Sequence, residues 1–210
     1  MPEEIKETEE TKEIQGKEEP ELIENTSEDL AGDYVGDEFA YELKIPQERI
    51  GVLVGKDGTV KKDIEEQTKC KLDISSEGDV TIVGEDALML YLAREIVRAI
   101  ARGFNPRTAL LLVKTDYTLE LLDLRDIAGK SKNTLIRLKG RLIGKGGKAR
   151  ENVEQLTNTY ISVYGKTVGI IGETAEVNLA HQAVEMLLKG AMHKSVYRFL
   201  EKKKKEILFG

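Results

Sequence analysis

The chain has 210 residues, of which 40% are hydrophobic, 33% charged and 5% aromatic, with one cysteine and no tryptophan. This length is enough for two compact domains with small aliphatic cores. The single cysteine excludes an internal disulfide, and no apolar run approaches the roughly 20 residues that span a bilayer.

The net charge of −6 is distributed unevenly. Residues 1–38 hold 15 acidic residues and 3 lysines, whereas the remainder holds 29 basic and 23 acidic residues. We expect 1–38 to be a disordered acidic tail, because it has too few apolar residues to offset the entropy lost on ordering. It is interpreted either as a solubilising segment or as an acidic mimic that competes for the basic surface or docks a basic partner. Since it lacks the basic start and apolar middle of a signal peptide, we expect a soluble, cytoplasmic protein with no membrane partner.

From residue 39 the apolar periodicity predicts the order β-α-α-β-β-α. In the last helix the residues at helical spacing that are expected to face the sheet are Leu88, Tyr91, Leu92, Ile96 and Ile100. Cys70 falls in a strand-like run and is expected in the core. The predicted elements are a strand at 39–46, helices at 47–54 and 59–68, strands at 71–75 and 79–83, and a helix at 87–102.

A connecting segment separates this unit from a second one of the same order. Asn105 and Pro106 suit the cap and first position of a short helix running to about 114. The second unit contains an insertion, 125–133, which we interpret as a basic loop with Ser131 or Asn133 capping the next helix. A final helix follows Gly190 and is expected to pack across both domains. The predicted elements are a strand at 117–124, helices at 134–142 and 147–157, strands at 159–163 and 167–171, and a helix at 174–188.

The two units repeat at a fixed offset of 89 residues. Gly55 matches Gly144 and Gly58 matches Gly147, and the identities continue through Glu65 with Glu154 and Thr68 with Thr157. A fixed offset over a whole supersecondary unit indicates two domains of one type. The boundaries we predict are a tail at 1–38, a first domain at 39–104, a connector at 105–116, a second domain at 117–190 and a C-terminal helix at 191–210.

In each unit a Gly-X-X-Gly turn stands between two helices. This is the arrangement with which a K-homology (KH) domain of the eukaryotic type grips about four nucleotides of single-stranded nucleic acid. The glycines let a phosphate approach the main chain. The N–H groups of Gly147 and Lys148 are expected to lack helical partners and to point at a phosphate.

The second turn is the stronger candidate site, because residues 125–150 hold nine basic residues against one acidic residue. Its predicted contacts are Gly144, Lys145, Gly146, Gly147, Lys148, Arg150, Arg137, Lys139 and Arg141. Arg137 and Arg141 are four apart and are expected to share a face. The core and floor of the adjoining groove, which would read unpaired bases, are expected from Ile143, Val153, Ile161 and Val163.

The first turn is weaker, because the carboxylate of Asp57 stands where phosphate oxygens would pass. Residues 39–107 hold 11 basic and 12 acidic residues, so this domain is nearly neutral. It is expected either to contact RNA or to brace the second domain or hold a protein partner. Its predicted contacts are Gly55, Lys56, Asp57, Gly58, Lys61 and Lys62.

Enzymatic sites are not indicated. A P-loop needs four residues between its glycines and Ser or Thr after the lysine. Each turn has only three residues between its glycines, and Asp57 or Gly146 follows the lysine. His181 and His193 with a single cysteine complete no zinc cluster. We therefore predict a non-catalytic protein with no cofactor or metal.

The segments 117–125 and 137–150 resemble the tandem-KH proteins of small ribosomal subunit maturation, the Krr and Pno group. The connector at 103–112 and the terminal helix at 193–206 match that group as well, and the intact Gly55–Gly58 motif resembles its archaeal members. The resemblance implies an α+β fold of two tandem type I KH domains, each with a three-stranded antiparallel sheet packed on helices, plus an extra C-terminal helix.

The resemblance also implies binding near the 3′ end of small-subunit ribosomal RNA or its precursor. The implied protein partners are a processing endonuclease or another assembly or translation factor. Two alternatives remain open: a protein-interaction scaffold with degenerate KH domains, and a general binder of single-stranded nucleic acid, including DNA.

Overall fold

Two copies of a β-α-α-β-β-α unit make up the fold, as the sequence repeat predicts. The computed structural model describes residues 33–35 and 38–209, and the side chains of residues 39–206. The first part contains β1 (Asp33–Val35), β2 (Glu38–Lys44), α1 (Gln47–Val54), α2 (Thr59–Thr68), β3 (Lys71–Ile74), β4 (Asp79–Gly84) and α3 (Ala87–Ala101). The connector contains α4 (Pro106–Ala109) and a 3-10 turn, Leu110–Val113. The second part contains β5 (Tyr117–Asp123), α5 (Arg125–Ala128), α6 (Lys132–Ile143), α7 (Lys148–Thr157), β6 (Tyr160–Tyr164), β7 (Thr167–Glu173), α8 (Thr174–Leu188) and α9 (His193–Phe209).

Each unit forms an antiparallel sheet with its last strand inside. The strand orders are β1-β2-β4-β3 and β5-β7-β6. The second sheet has the three strands expected, but the first has a fourth, because β1 pairs with the start of β2. The prediction of disorder throughout 1–38 was therefore wrong for Asp33–Val35, where Tyr34 and Val35 favour a strand. The rest of the predicted tail, apart from Glu38 in β2, lies outside the described residues.

The helix caps follow the sequence, but the insertion does not. The side chain of Asn105 accepts the N–H of Arg107 at the start of α4, and Ser131 caps α6. The interpretation of 125–133 as a loop was wrong, because its first four residues form α5. The Asp123 carboxylate accepts the main-chain N–H of Arg125 at 2.7 Å and pairs with the Arg125 side chain, which stabilises this turn.

The helices pack their apolar faces on the sheets to form two cores, and Cys70 is buried in the first. The expected orientation of α3 is confirmed for Ile96 and Ile100, which are fully buried, but it was wrong for Leu88, which is 60% exposed, and Tyr91, which is 47% exposed. The buried face also carries Leu90, which was not predicted. Because α3 is apolar around most of its circumference, helical spacing alone did not decide which face is buried.

The C-terminal helix belongs to the second domain. Val196 and Leu200 of α9 are fully buried within the second core, and the helix packs on α7 and α8. The expectation that it packs across both domains was therefore wrong.

The outer face of the second sheet joins the two domains instead. Ile171 of β7 belongs to the first core, and the ring of Phe104 lies directly over Gly169. At the edge strand, the Ser162 hydroxyl donates to the carbonyl of Arg102 at 2.9 Å. All but the last residue of β7 are buried, because helices cover one face of this sheet and the first domain covers the other.

Candidate nucleic-acid interface

The two glycine-rich turns have the same backbone conformation. Gly55 has φ 74° and ψ 175°, and Gly144 has φ 73° and ψ 178°. Two residues later, Asp57 at φ 54° and Gly146 at φ 58° both adopt a left-handed conformation. The sequence repeat is therefore also a repeat of local geometry.

The glycines of the second turn have different structural roles. At Gly144 an added Cβ would lie 2.6 Å from the Cβ of Ala149, so this glycine allows α6 and α7 to pack closely. At Gly146 nothing lies within 4 Å of an added Cβ. The turn is therefore open to solvent at Gly146, and the equivalent Asp57 shows that this conformation accommodates an aspartate.

The N–H groups that the turn offers differ from the prediction. The N–H of Gly147 donates to the carbonyl of Gly144 at 3.3 Å, and that of Lys148 donates to Lys145. The expectation that both lack partners was wrong, because the turn closes as a 3-10 helix before α7 begins. The N–H groups of Lys145 and Gly146 lead this turn, and the first N–H groups of a helix have no partner within it and can meet an anion.

Several predicted cations surround this turn at the surface. Lys145 and Lys148 are exposed within it, and Arg137 is exposed on α6. None of the three forms an ion pair in the described part of the chain. Lys139 is half-buried on the same helix.

Arg141 is oriented differently from its neighbours. Its Nε donates to the carbonyl of Leu187 at 2.6 Å and its Nη2 donates to the carbonyl of Ala191. The two positions lie one turn apart on α6, as expected, but Nε and Nη2 of Arg141 hold the end of α8 against α6. Arg141 therefore has a structural role.

An equivalent clamp exists in the first domain. Arg49 donates from Nε to the carbonyl of Ile100 and from Nη2 to that of Phe104, both at 2.8 Å. The acceptor residues of Arg49 each lie 87 positions before the corresponding acceptor residues of Arg141, whereas Arg49 itself lies 92 positions before Arg141. The same clamp therefore occurs in both domains, but its arginine stands at a different position of the helix. For that reason the fixed offset of the sequence repeat does not reveal it.

Arg150 is also engaged within the protein. Its Nε lies 3.6 Å from Oε2 of Glu154, and the other oxygen of that carboxylate accepts the N–H of Ile161 at 2.6 Å. Burial raises the pKa of Glu154, and the hydrogen bond and Arg150 partly oppose this rise. The equivalent Glu65 accepts the N–H of Leu72 at 2.9 Å. The repeated glutamate is therefore a structural residue.

This contact shows which way β6 directs its main chain. Because Ile161 donates to Glu154 on α7, its polar groups point away from β7, and alternation gives Val163 the same direction. Val153 and Ile161 are buried in the second core, as expected for core residues, and Val163 is half-buried against it. Ile136, which the sequence reasoning did not single out, is 44% exposed on α6.

The first turn has a weaker positive surface. Lys56 and Asp57 are adjacent and exposed, so their charges largely cancel. Lys61 lies 3.8 Å from Glu65, while Lys62 is exposed.

The first domain also contacts the end of β6. The hydroxyl of Tyr164, at the end of β6, donates to the Glu48 carboxylate of α1. The Arg49 guanidinium lies 5.9 Å from the centre of the Tyr164 ring. Desolvation lowers the pKa of Arg49, and Tyr164 and Glu48 oppose this. Sequence reasoning missed this contact because no local pattern relates residues 116 positions apart.

The described residues also show whether a metal site or a membrane-spanning helix is present among them. Residues 38–209 contain no group of three or more His, Cys, Asp or Glu side chains arranged to hold a metal ion. His181 instead lies 2.5 Å from the carboxylate of Glu120. None of the helices described is long and apolar enough to cross a membrane.

Comparison with protein families gives two matches. A model described as eukaryotic type KH-domain (KH-domain type I) matches residues 118–205, and one described as KH domain matches residues 40–99. The KH domain-containing protein MJ0443 of Methanocaldococcus jannaschii is 53% identical over 169 residues, which cover 79% of this chain and 74% of that protein. The RNA-binding protein pno1 of Ixodes scapularis is 34% identical over 54% of this chain, which spans about half (49%) of that relative.

Two solved structures from Pyrococcus horikoshii are also similar. The crystal structure of Dim2p has 43% identity and a TM-score of 0.72, covering 78% of this chain and 98% of that one. The protein in the crystal structure of an a/eIF2alpha-aDim2p-rRNA complex has 44% identity and a TM-score of 0.74, covering 80% and 96%.

Proposed function

The chain belongs to the family of tandem type I KH-domain proteins that includes archaeal Dim2p and PNO1, and from this we propose that it holds single-stranded RNA in the groove of its second KH domain. The RNA we propose is the 3′ region of small-subunit ribosomal RNA or its precursor, bound without catalysis during ribosome assembly.

The observation on which this depends is the open turn at Lys145–Gly147. Its leading N–H groups stand at a helix start, where such groups have no partner within the helix, and nothing lies within 4 Å of a Cβ added at Gly146. Lys145 and Lys148 are exposed beside it. N–H groups at a helix start, with exposed cations beside an uncovered main chain, suit a bound phosphate.

The groove beside the turn suits unpaired bases. β6 is an edge strand, and Val163 directs its main-chain polar groups away from β7. An unpaired strand edge can exchange hydrogen bonds with the edge of a base that is not already paired. A duplex would present those base edges to its own second strand, so single strands are favoured.

The choice of ribosomal RNA is supported by relatives. One solved relative is described in complex with rRNA and a/eIF2alpha, and a Chaetomium thermophilum relative, 30% identical over 53% of this chain and 44% of its own length, is named a pre-rRNA-processing protein. We propose that the protein partners are of the same kind: a processing endonuclease, or another assembly or translation factor.

The first domain is proposed to act mainly as a brace. Asp57 occupies the position at which the second turn has Gly146, so phosphate contact there is disfavoured. Its α1 meanwhile holds Tyr164 beside the second groove.

The test replaces Lys145 and Gly146 together by aspartate, which gives the second turn the sequence Gly-Asp-Asp-Gly. RNA binding should be abolished while the melting temperature stays nearly unchanged, because Asp57 already adopts the required backbone conformation. The matched control is Lys56→Asp, which creates the same four residues in the first turn and should retain RNA binding. Retained affinity in the double variant would show that the groove is wrongly assigned.

Two further measurements address the alternatives. For RNA held by several phosphate contacts, log affinity should fall steeply with log salt, by about 0.7 per contact. A flat dependence would favour the protein scaffold. Matched RNA and DNA oligomers distinguish an RNA binder from a general one, because only RNA offers 2′-hydroxyl groups.

A further inference from the structure

Helix α9 presents a stripe of basic side chains to solvent. The α9 stripe consists of Lys194, Arg198, Lys202 and Lys205. Their spacings of four, four and three residues place them on one face of a helix with 3.6 residues per turn. This face lies opposite Val196 and Leu200, whose side chains are fully buried in the second core.

The charged groups of the α9 stripe are accessible to a ligand from solvent. All four side chains are exposed, and Lys194, Arg198 and Lys205 form no ion pair within the described side chains. Lys202 approaches Glu206 only to 3.8 Å. Two acidic residues, Glu201 and Glu206, border the stripe.

The lysines on the flanks of α9 differ from the stripe. Lys203 pairs with Glu206 at 2.8 Å. Lys204 lies close enough to Glu176 to oppose the rise in pKa that burial causes in that carboxyl. Lys203 and Lys204 on the flanks therefore interact with acids of the protein, whereas among the described side chains Lys202 is the one stripe residue that approaches a carboxylate.

The stripe starts close to the glycine-rich turn. Nε2 of His193, the first residue of α9, lies 2.9 Å from the carbonyl of Arg141. Arg141 in turn donates to Ala191, so the last turn of α6 and the first turn of α9 are held together. Gly144 follows Arg141 by three residues. The twelve residues from Lys194 to Lys205 span eleven helical steps, which extend about 16 Å.

We propose that the α9 stripe binds phosphates of RNA that continues beyond the groove, and so lengthens the contact past the about four nucleotides that a KH groove holds. The inference rests on the proposed function and assigns to α9 a second, sequence-independent site on the same strand. Flexible lysine and arginine side chains, three of the four without an ion pair among the described side chains, suit a phosphate backbone. A protein partner would require apolar or aromatic anchors between the charges, and the stripe contains none.

The test compares two double variants of the full chain with equal net charge. Arg198→Gln with Lys205→Gln removes two stripe cations, and Lys203→Gln with Lys204→Gln removes two flank cations from the same helix. Glutamine preserves helix propensity. Each is titrated with RNA oligomers of about 5 and about 12 nucleotides by fluorescence anisotropy at several salt concentrations.

For the longer oligomer the stripe variant should lose about 1.4 from its salt slope, at about 0.7 per phosphate contact. This corresponds to about 25-fold weaker binding near 0.1 M salt. Its affinity for the short oligomer, which fills only the groove, should be unchanged. The flank variant should bind both oligomers as the natural chain does.

Three outcomes would overturn the inference. The stripe variant could bind the long oligomer normally, the flank variant could lose as much affinity, or poly-glutamate could bind the stripe as tightly as the long RNA. Normal binding by the stripe variant would mean that the stripe does not contact RNA. An equal loss in the flank variant would mean that only the net charge of the helix matters. Equally tight binding of poly-glutamate would mean that the stripe binds acidic polypeptides. If the natural chain binds neither oligomer, it is the proposed function that fails.

Discussion

Replacing Arg141 by lysine tests whether this residue holds the fold or touches RNA. Lysine keeps the positive charge, so attraction to RNA is preserved. It cannot reproduce the two-pronged donation of a guanidinium to the carbonyls of Leu187 and Ala191. The structure therefore predicts a loss of stability without a loss of RNA affinity. The matched control is Arg137→Lys, because Arg137 is exposed four residues earlier on the same helix.

The magnitude follows from the contacts. A hydrogen bond from a charged donor contributes about 1.5–3 kcal/mol, and lysine retains one donor and its favourable position at the carboxyl end of α8. Arg141 is half-buried, so we expect the free energy of unfolding to fall by about 1.5–2 kcal/mol. For a chain of this size that lowers the melting temperature by about 3–8 °C.

The assay combines urea unfolding, thermal circular dichroism and RNA titration on both variants. Arg137→Lys should change neither the urea midpoint nor the melting temperature. Arg49→Lys should behave like Arg141→Lys, because Arg49 makes the same clamp in the first domain. If Arg141→Lys left stability unchanged but weakened RNA binding, the clamp would be unimportant and Arg141 would be an RNA contact after all.

Three more predictions concern single side chains. Gly144→Ala should lower the melting temperature, because the added Cβ would lie 2.6 Å from the Cβ of Ala149 and the backbone there has a φ of 73°. By contrast, Gly51→Ala, in open space within α1, should raise stability by up to about 1 kcal/mol. Because burial raises the pKa of Glu154, its contribution to stability is present in acid and is lost as pH rises through that raised value. Glu154→Gln, which can still accept the Ile161 N–H, should therefore gain stability relative to the natural chain as pH rises from about 4, near the ordinary pKa of glutamate, in urea titrations. A difference in stability between the two proteins that does not change with pH would contradict this. Burial raises the pKa of the Cys70 thiol, so it should react with a thiol reagent only in denaturant, and rapid reaction of the folded protein would show that the first core opens.

The sequence predicted the repeated unit because its signals are local. Apolar periodicity, the caps at Asn105 and Ser131, and the glycines of the two turns all act within a few residues. The left-handed conformation at Gly146 follows from glycine's freedom, and its recurrence at Asp57 follows from the repeat.

The errors arose where distant parts of the chain meet. Spacing placed Arg141 beside Arg137, but the carbonyls at the end of α8 determine where its guanidinium points. Leu88 and Tyr91 had suitable spacing for burial, yet a helix apolar on several sides is oriented by the sheet it meets. The contact between Tyr164 and Glu48 joins two domains and has no counterpart in any local pattern.

The doubly covered sheet of the second domain makes the two repeats inseparable. Cutting the chain in the connector would strip Phe104 from β7 and leave Ile171 facing water. An isolated second half would then expose an apolar patch that promotes self-association. The two repeats therefore form one structural unit, and neither is expected to be stable without the other.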